Sequence, residues 1–232
     1  FLFTAKLWQQ LTHERALTAE NVGAVRPALE TLAGAGKLGA LLAQFPWSFK
    51  NTAENRAYLE SLAERFRDFP MVVEVRHASW NDRGFYEWLS ERGVGFCNID
   101  QPVIGRSLGP SGRATAPVGY VRLHGRNYEE WFRDREDASG AERYNYLYSV
   151  EELKPWAERI RTVAEAAEHT FVITNNHFHG KAVTNALQLV HLLTGRRVKA
   201  PAPLVARYPE LEEIAEPAAG EPLLFSPESD SK

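Results

Sequence analysis

Six stretches of the chain either alternate apolar and polar positions or run apolar throughout, and most are followed by residues that return every three or four positions. The strand-like stretches are Phe1 to Lys6, Gly39 to Phe45, Met71 to Arg76, Val94 to Ile99, Gly119 to His124 and Thr170 to Asn176. Most are rich in Val, Ile, Leu or Phe, as strands buried on both faces are. Helical patterns occupy Ala19 to Leu32, Thr52 to Arg67, Phe85 to Arg92, Glu151 to His169 and Lys181 to Leu193. The best defined is Glu151 to His169. Ser149 and Glu152 predict a capping box at its start, and Leu153, Trp156, Ile160 and Val163 mark one face at helical spacing.

Strand alternating with helix predicts a parallel sheet wrapped by helices. The expected fold class is α/β, a TIM-type (β/α) barrel that lacks its first two βα units in this chain; an open doubly wound sheet is the alternative. The chain opens on Phe-Leu-Phe-Thr-Ala-Lys, already in strand pattern and without a methionine, so something upstream is expected to be missing. The barrel domain is assigned to residues 1–199. Residues 200–232, rich in Pro and Glu, are expected to form a weakly ordered tail. Two connections are long, Gln101 to Pro117 and Gly125 to Tyr148, and the aromatic content of the second predicts a packed lid.

The chain has 232 residues, close to the roughly 250 of a single barrel domain. Hydrophobic residues make up 44% and charged residues 25%, as in ordinary globular chains. A net charge of -3 gives no global attraction to nucleic acid or membranes, so any anion site must be local. Cys97 is the one cysteine, which excludes an internal disulfide and a cysteine metal cluster. There is no signal-peptide pattern and no apolar run of ~20 residues. The expected location is the cytoplasm, with no membrane partner.

The candidate chemistry lies in the period-two alternation of the strands. Glu74 and Arg76 alternate with Val73 and Val75, Asn98 and Asp100 with Cys97 and Ile99, and Arg122 and His124 with Val121 and Leu123. Thr4 and Lys6 repeat the pattern early, Thr174 and Asn176 late. In a barrel the apolar sets should face the helices and the polar sets the interior. These polar groups sit near the C-terminal strand ends, where such barrels carry active sites. A buried ion-pair network that merely fixes the barrel is the competing reading. Its desolvation cost makes it a poor stabiliser, which favours a functional site.

The turn Asn175-Asn176-His177-Phe178-His179-Gly180-Lys181 brings polar side chains to the start of the last helix. Exposed amides at a helix start bind anions; the competing reading has Asn176 as a cap and the histidines solvated. The runs His124-Gly125-Arg126-Asn127-Tyr128 and Arg143-Tyr144-Asn145-Tyr146-Leu147-Tyr148 add cations and rings, able to hold phosphate and to stack. The expected catalytic set is Glu74 or Asp100 as general base with His124 as acid or partner. Lys6, Arg76, Trp80, Arg122, Arg126, Tyr144, Asn175, Asn176, His177 and Lys181 form the expected binding set. Trp80 would line the pocket or plug the rim. No cofactor and no tightly held metal are expected, because Arg76 and Arg122 would repel a dication and no H-E-x-x-H spacing occurs. The expected partner is a small anionic substrate or a nucleic acid end. A phosphoester enzyme and a non-catalytic nucleotide or sugar-binding module both remain open.

Five segments also resemble the YecE-like family, known as domain of unknown function 72. They are Phe3-Thr4-Ala5-Lys6, Glu74-Val75-Arg76-His77-Ala78-Ser79-Trp80, Tyr120-Val121-Arg122-Leu123-His124-Gly125-Arg126, Tyr144-Asn145-Tyr146-Leu147-Tyr148-Ser149 and Asn175-Asn176-His177. They span nearly the whole chain in order. The resemblance implies a TIM-type barrel that usually opens with two more βα units, and a site at the strand ends. It implies no reaction.

Overall fold

The computed structural model describes residues 1–128 and 144–217. The chain begins with β1 (Phe3–Lys6), the short α1 (Gln9–Thr12) and α2 (Ala19–Gly34). Next come β2 (Leu38–Gln44), α3 (Ala53–Arg65), β3 (Met71–Glu74), α4 (Arg83–Glu91), β4 (Gly95–Asp100) and β5 (Val118–Leu123). The order closes with α5 (Val150–Ala166), β6 (His169–Thr174), α6 (Lys181–Thr194), β7 (Val198–Ala200), α7 (Ala202–Arg207) and β8 (Ala215–Pro217). The helices start where side-chain acceptors meet their first amides. Thr18, Thr52, Asp82 and Ser149 each accept from the backbone N–H three residues on, and Ser149 completes the expected capping box with Glu152.

Strands β1 to β6 form one sheet, every neighbouring pair parallel and in sequence order. A doubly wound sheet reverses its strand order at a switch point; this sheet does not. It curls instead, in the manner of a half-barrel. Inside the curl, Phe171 of β6 reaches Gly39 of β2, where a Cβ would come within 2.4 Å of the ring. Only glycine leaves room there. Tyr120 of β5 reaches Thr4 of β1 in the same way. On the outer side α5 lays Leu153, Trp156 and Ile160 against Val121 and Leu123 of β5.

The connection after β4 has no helix. Residues 101–117 cover the sheet as irregular chain instead, and their backbone needs partners that a helix would have supplied itself. Buried Asn98 and Gln101 provide them. Asn98 Nδ2 donates to Arg113 O (2.8 Å), and its Oδ1 accepts from Ser111 Oγ (2.7 Å) and Arg113 N (2.8 Å). Gln101 Nε2 donates to Arg76 O (3.0 Å) and Leu108 O (3.2 Å).

The expected weakly ordered tail is packed as far as Pro217. Strands β7 and β8 pair in parallel, and Val198, Ala200, Tyr208, Leu211 and Ala215 are buried together with Leu187 of α6 against them. The Pro and Glu content masked these apolar positions. Residues 218–232 of the expected tail, and 129–143 of the expected lid, lie outside the described residues. Among the described residues no helix is long and apolar enough to cross a membrane.

Candidate functional site

Glu74 ends β3 and is fully buried. Strand pairing decides what faces it. Val73 lies opposite Phe96, so Cys97 is level with Glu74, and Ile99 lies opposite Arg122. Residues level on adjacent strands share a face. Glu74 therefore meets Cys97 and Arg122 on the inner side. Arg122 NH1 donates to Glu74 Oε2 at 2.5 Å. Arg76 Nε donates to Oε1 at 3.0 Å, and His124 Nε2 lies 3.2 Å from the same oxygen. The other ring nitrogen, Nδ1, is 3.1 Å from Asn175 Nδ2. The amide donates there, so the ring proton sits on Nε2 and points at Glu74.

Burial alone would raise the Glu74 carboxyl, but the surrounding positive groups outweigh it and hold it well below the usual range. Burial, helped by Arg76, pushes His124 down to about 4. At neutral pH the ring is thus uncharged and stabilises the carboxylate through its hydrogen bond, while the two guanidiniums supply the positive charge. Burial and Glu74 push the Cys97 thiol well up, so it is inert rather than nucleophilic. Glu74 and His124 side chains have no exposed surface, while Arg76 and Arg122 keep 11% and 10%. The part of the cluster that meets solvent is cationic.

The facing expected for β3 and β5 matches this geometry; that for β4 is reversed, and so is that for Thr174 and Asn176, because Ile173 is level with Arg122 while Thr174 and Asn176 bond Ala182 and Asn185 of α6. Cys97 and Ile99 point inward, and Asn98 and Asp100 point to the helix side. The reason is non-local. β3 is as fully buried as β4, so burial does not choose the face; β4 differs in that partners outside the sheet satisfy both of its polar residues. Asp100 takes a bidentate Arg126, with Nε at 2.8 Å and NH2 at 3.0 Å. Arg126 also reaches Glu152 at 3.2 Å, and Tyr146 donates to the same carboxylate oxygen at 2.6 Å. This second network ties the loop after β5 to the start of α5. Asp100 and Arg126 are therefore not part of the Glu74 cluster.

Two further expected site residues are structural in placement. Trp80 is fully buried, stacks on Phe49 and donates to Phe49 O at 2.7 Å. It belongs to the core; the small cavity it lines, with Phe85 and Trp88, is not at the Glu74 cluster. Asn176 is buried and donates to Tyr146 O (2.8 Å) and Asn185 Oδ1 (2.7 Å). The remaining expected residues gather at the strand ends. Tyr144 has its ring 6.3 Å from His124 and 5.6 Å from His177. Lys181 donates to Asn145 at 2.5 Å, and Lys6 is exposed at the end of β1.

Three structural residues had not been singled out. Asn185 of α6 bonds both backbone groups of Tyr148, at 3.1 and 2.9 Å. Gln101 and Tyr120 act as described above. The only sequence signal was for Asn185, a polar residue on an otherwise apolar helical stripe. Two open clefts of about 810 and 700 Å³ lie beside α4 and at the start of α3, and neither is lined by Glu74, Arg76, Arg122 or His124. Among the described residues no three His, Cys, Asp or Glu side chains come together as metal ligands would.

Residues 1–207 match the family described as "Protein of unknown function DUF72". The fold is similar to the crystal structure of a DUF72 family protein, TM1631, from Thermotoga maritima MSB8. The two are 35% identical with a TM-score of 0.76, over 83% of this chain and 74% of that one. It is also similar to the DUF72 protein EF0366 from Enterococcus faecalis V583, at 28% identity and a TM-score of 0.74 over the same shares. No curated protein matches the chain.

Proposed function

Because the chain belongs to the DUF72 family, whose description gives no activity, we propose a function from the strand-end cluster itself: an enzyme acting on a phosphate-bearing substrate by general acid/base catalysis. The observation that carries this reading is the setting of Arg122. Glu74 fixes its guanidinium through NH1 alone, and no other hydrogen bond of this side chain occurs among the described residues. The remaining N–H groups form a preoriented fork of the kind that suits phosphate oxygens. Arg76, held on the same carboxylate, adds positive charge beside it.

His124 is the proposed acid/base. Its ring is neutral at pH 7, and Glu74 behind Nε2 orients it and stabilises the imidazolium that forms. Nδ1 takes a proton from the attacking water as its oxygen bonds phosphorus. The ester P–O bond breaks, and the same proton passes to the leaving oxygen. Asn175 now occupies Nδ1 and yields that position to the substrate. Arg126 and Asp100 are scaffold in this reading, and Tyr144, His177 and Lys181 form the rim.

The test is turnover across a panel of phosphomonoesters and phosphodiesters, with phosphate binding measured in parallel. His124→Asn should lower turnover about 10²- to 10⁴-fold and spare binding; Arg122→Met should weaken binding. No phosphate binding at millimolar concentration would refute the reading. Full burial of Glu74 and His124 favours a second reading, a binding module without chemistry. Saturable binding with no turnover of any ester would select it.

A further inference from the structure

We infer that the rim beside Arg76 carries a second anion subsite with a stacking platform, so that the ligand is a short single-stranded nucleotide chain rather than a lone phosphoester. This rests on the reading above and specifies its substrate class. The subsite is built by the loop after β2, the loop after β3 and the irregular chain after β4. Trp47 stands edge-on to His77, with ring centroids 4.9 Å apart. Lys50 Nζ lies 5.8 Å from the Trp47 ring. Arg106 comes to the same corner because Ala78 N donates to Arg106 O at 2.7 Å and His77 bridges Ser107.

Lys50 and Arg106 are both exposed, and among the described residues neither makes an ion pair. Both act on one buried imidazole, and together with burial they depress its protonation. Two like charges converging on one corner without a carboxylate repel each other, and a bound anion removes that cost. Charge would recognise any anion; the ring beside it narrows the choice. Trp47 is partly exposed, and its buried Nε1 has no hydrogen-bond partner. Cations interleaved with an exposed aromatic ring suit a phosphodiester backbone whose bases stack. The corner adjoins the Glu74 cluster along the chain, since His77 follows Arg76. A ligand with one phosphate on Arg122 would thus bring its next phosphate toward Lys50 and Arg106. A mononucleotide could occupy only one of the two positions.

The experiment is calorimetric titration of the 232-residue protein with four probes: inorganic phosphate, thymidine monophosphate, the dinucleotide pTpT and an abasic phosphodiester dimer of equal charge. Wild type should bind pTpT at least tenfold more tightly than the monophosphate. Trp47→Ala should weaken pTpT by roughly 5- to 150-fold, the usual worth of one stacked base, and leave the abasic dimer unchanged. The double change Lys50→Ala/Arg106→Ala should weaken both dimers, flatten their salt dependence by about two charges and leave the inorganic phosphate site that depends on Arg122 in place. If phosphate binds through Arg122 but these variants leave pTpT affinity unchanged, the second subsite is wrong and the proposed function stands. Equal binding of pTpT and the abasic dimer would remove the stacking platform and overturn the nucleotide assignment. If wild type binds neither phosphate nor pTpT, both readings fall.

Discussion

Replacing Glu74 by Gln keeps the shape of the side chain and removes one buried negative charge. In the native protein that carboxylate accepts from Arg122 at 2.5 Å, from Arg76 at 3.0 Å and from His124 at 3.2 Å. Gln offers one acceptor oxygen, and its NH2 group turns a donor toward a donor. Arg122 then stays in a site where only 10% of its side chain is exposed, with no carboxylate to compensate its lost hydration. Breaking a buried ion pair from one side costs about 3–5 kcal/mol, a large share of the 5–15 kcal/mol typical of a folded domain. With a urea m-value of about 2 kcal/mol/M, the unfolding midpoint should fall by about 1.5–2.5 M. Trp80 and Trp156 are fully buried, so their fluorescence follows the transition. The added change Arg122→Met should recover part of the loss, because it removes the stranded charge. A Glu74→Gln variant destabilised by less than about 1 kcal/mol, the level of an exposed pair, would refute the claim that this cluster is desolvated.

The remaining predictions follow from the same geometry. His124 titrates near 6.5 when unfolded and about 4 when folded, so the folded state binds fewer protons. Its contribution, about 3 kcal/mol, is fully present above pH 6.5 and is lost as pH falls toward 4. Denaturation midpoints measured across that window should decline, and less steeply in His124→Asn; a flat wild-type profile down to pH 4.5 would contradict the depressed value. Asn98→Ala should free residues 101–117 from β4 and raise their amide exchange by about tenfold or more, since it strands Arg113 N and its carbonyl; unchanged protection there would show that Asn98 does not hold the loop. Cys97 should resist thiol reagents in the native protein and react only on unfolding, and stoichiometric labelling of folded protein would contradict its burial.

The sequence by itself determined the six strands of the sheet, the five long helices and their order. Apolar runs of strand length and the 3.6-residue stripe of α5 are local patterns, and local patterns survive without knowledge of the neighbours. The strand-end position of Glu74, Arg76, Arg122 and His124 was legible for the same reason, because period two along β3 and β5 coincides with an apolar outer face against the helices. Tertiary structure decided the rest. On β4 the choice between Cys97 with Ile99 and Asn98 with Asp100 fell to strand register and to partners as distant as Arg113 and Arg126. Likewise Trp80 reads as a rim residue along the chain, yet its ring fills the space between Phe49 and Phe85. The packed segment through Pro217 depended on Leu187 of α6 offering it an apolar surface. In each case the deciding free energy belongs to a contact between segments far apart in sequence: a buried polar group must find its partner wherever the fold supplies one.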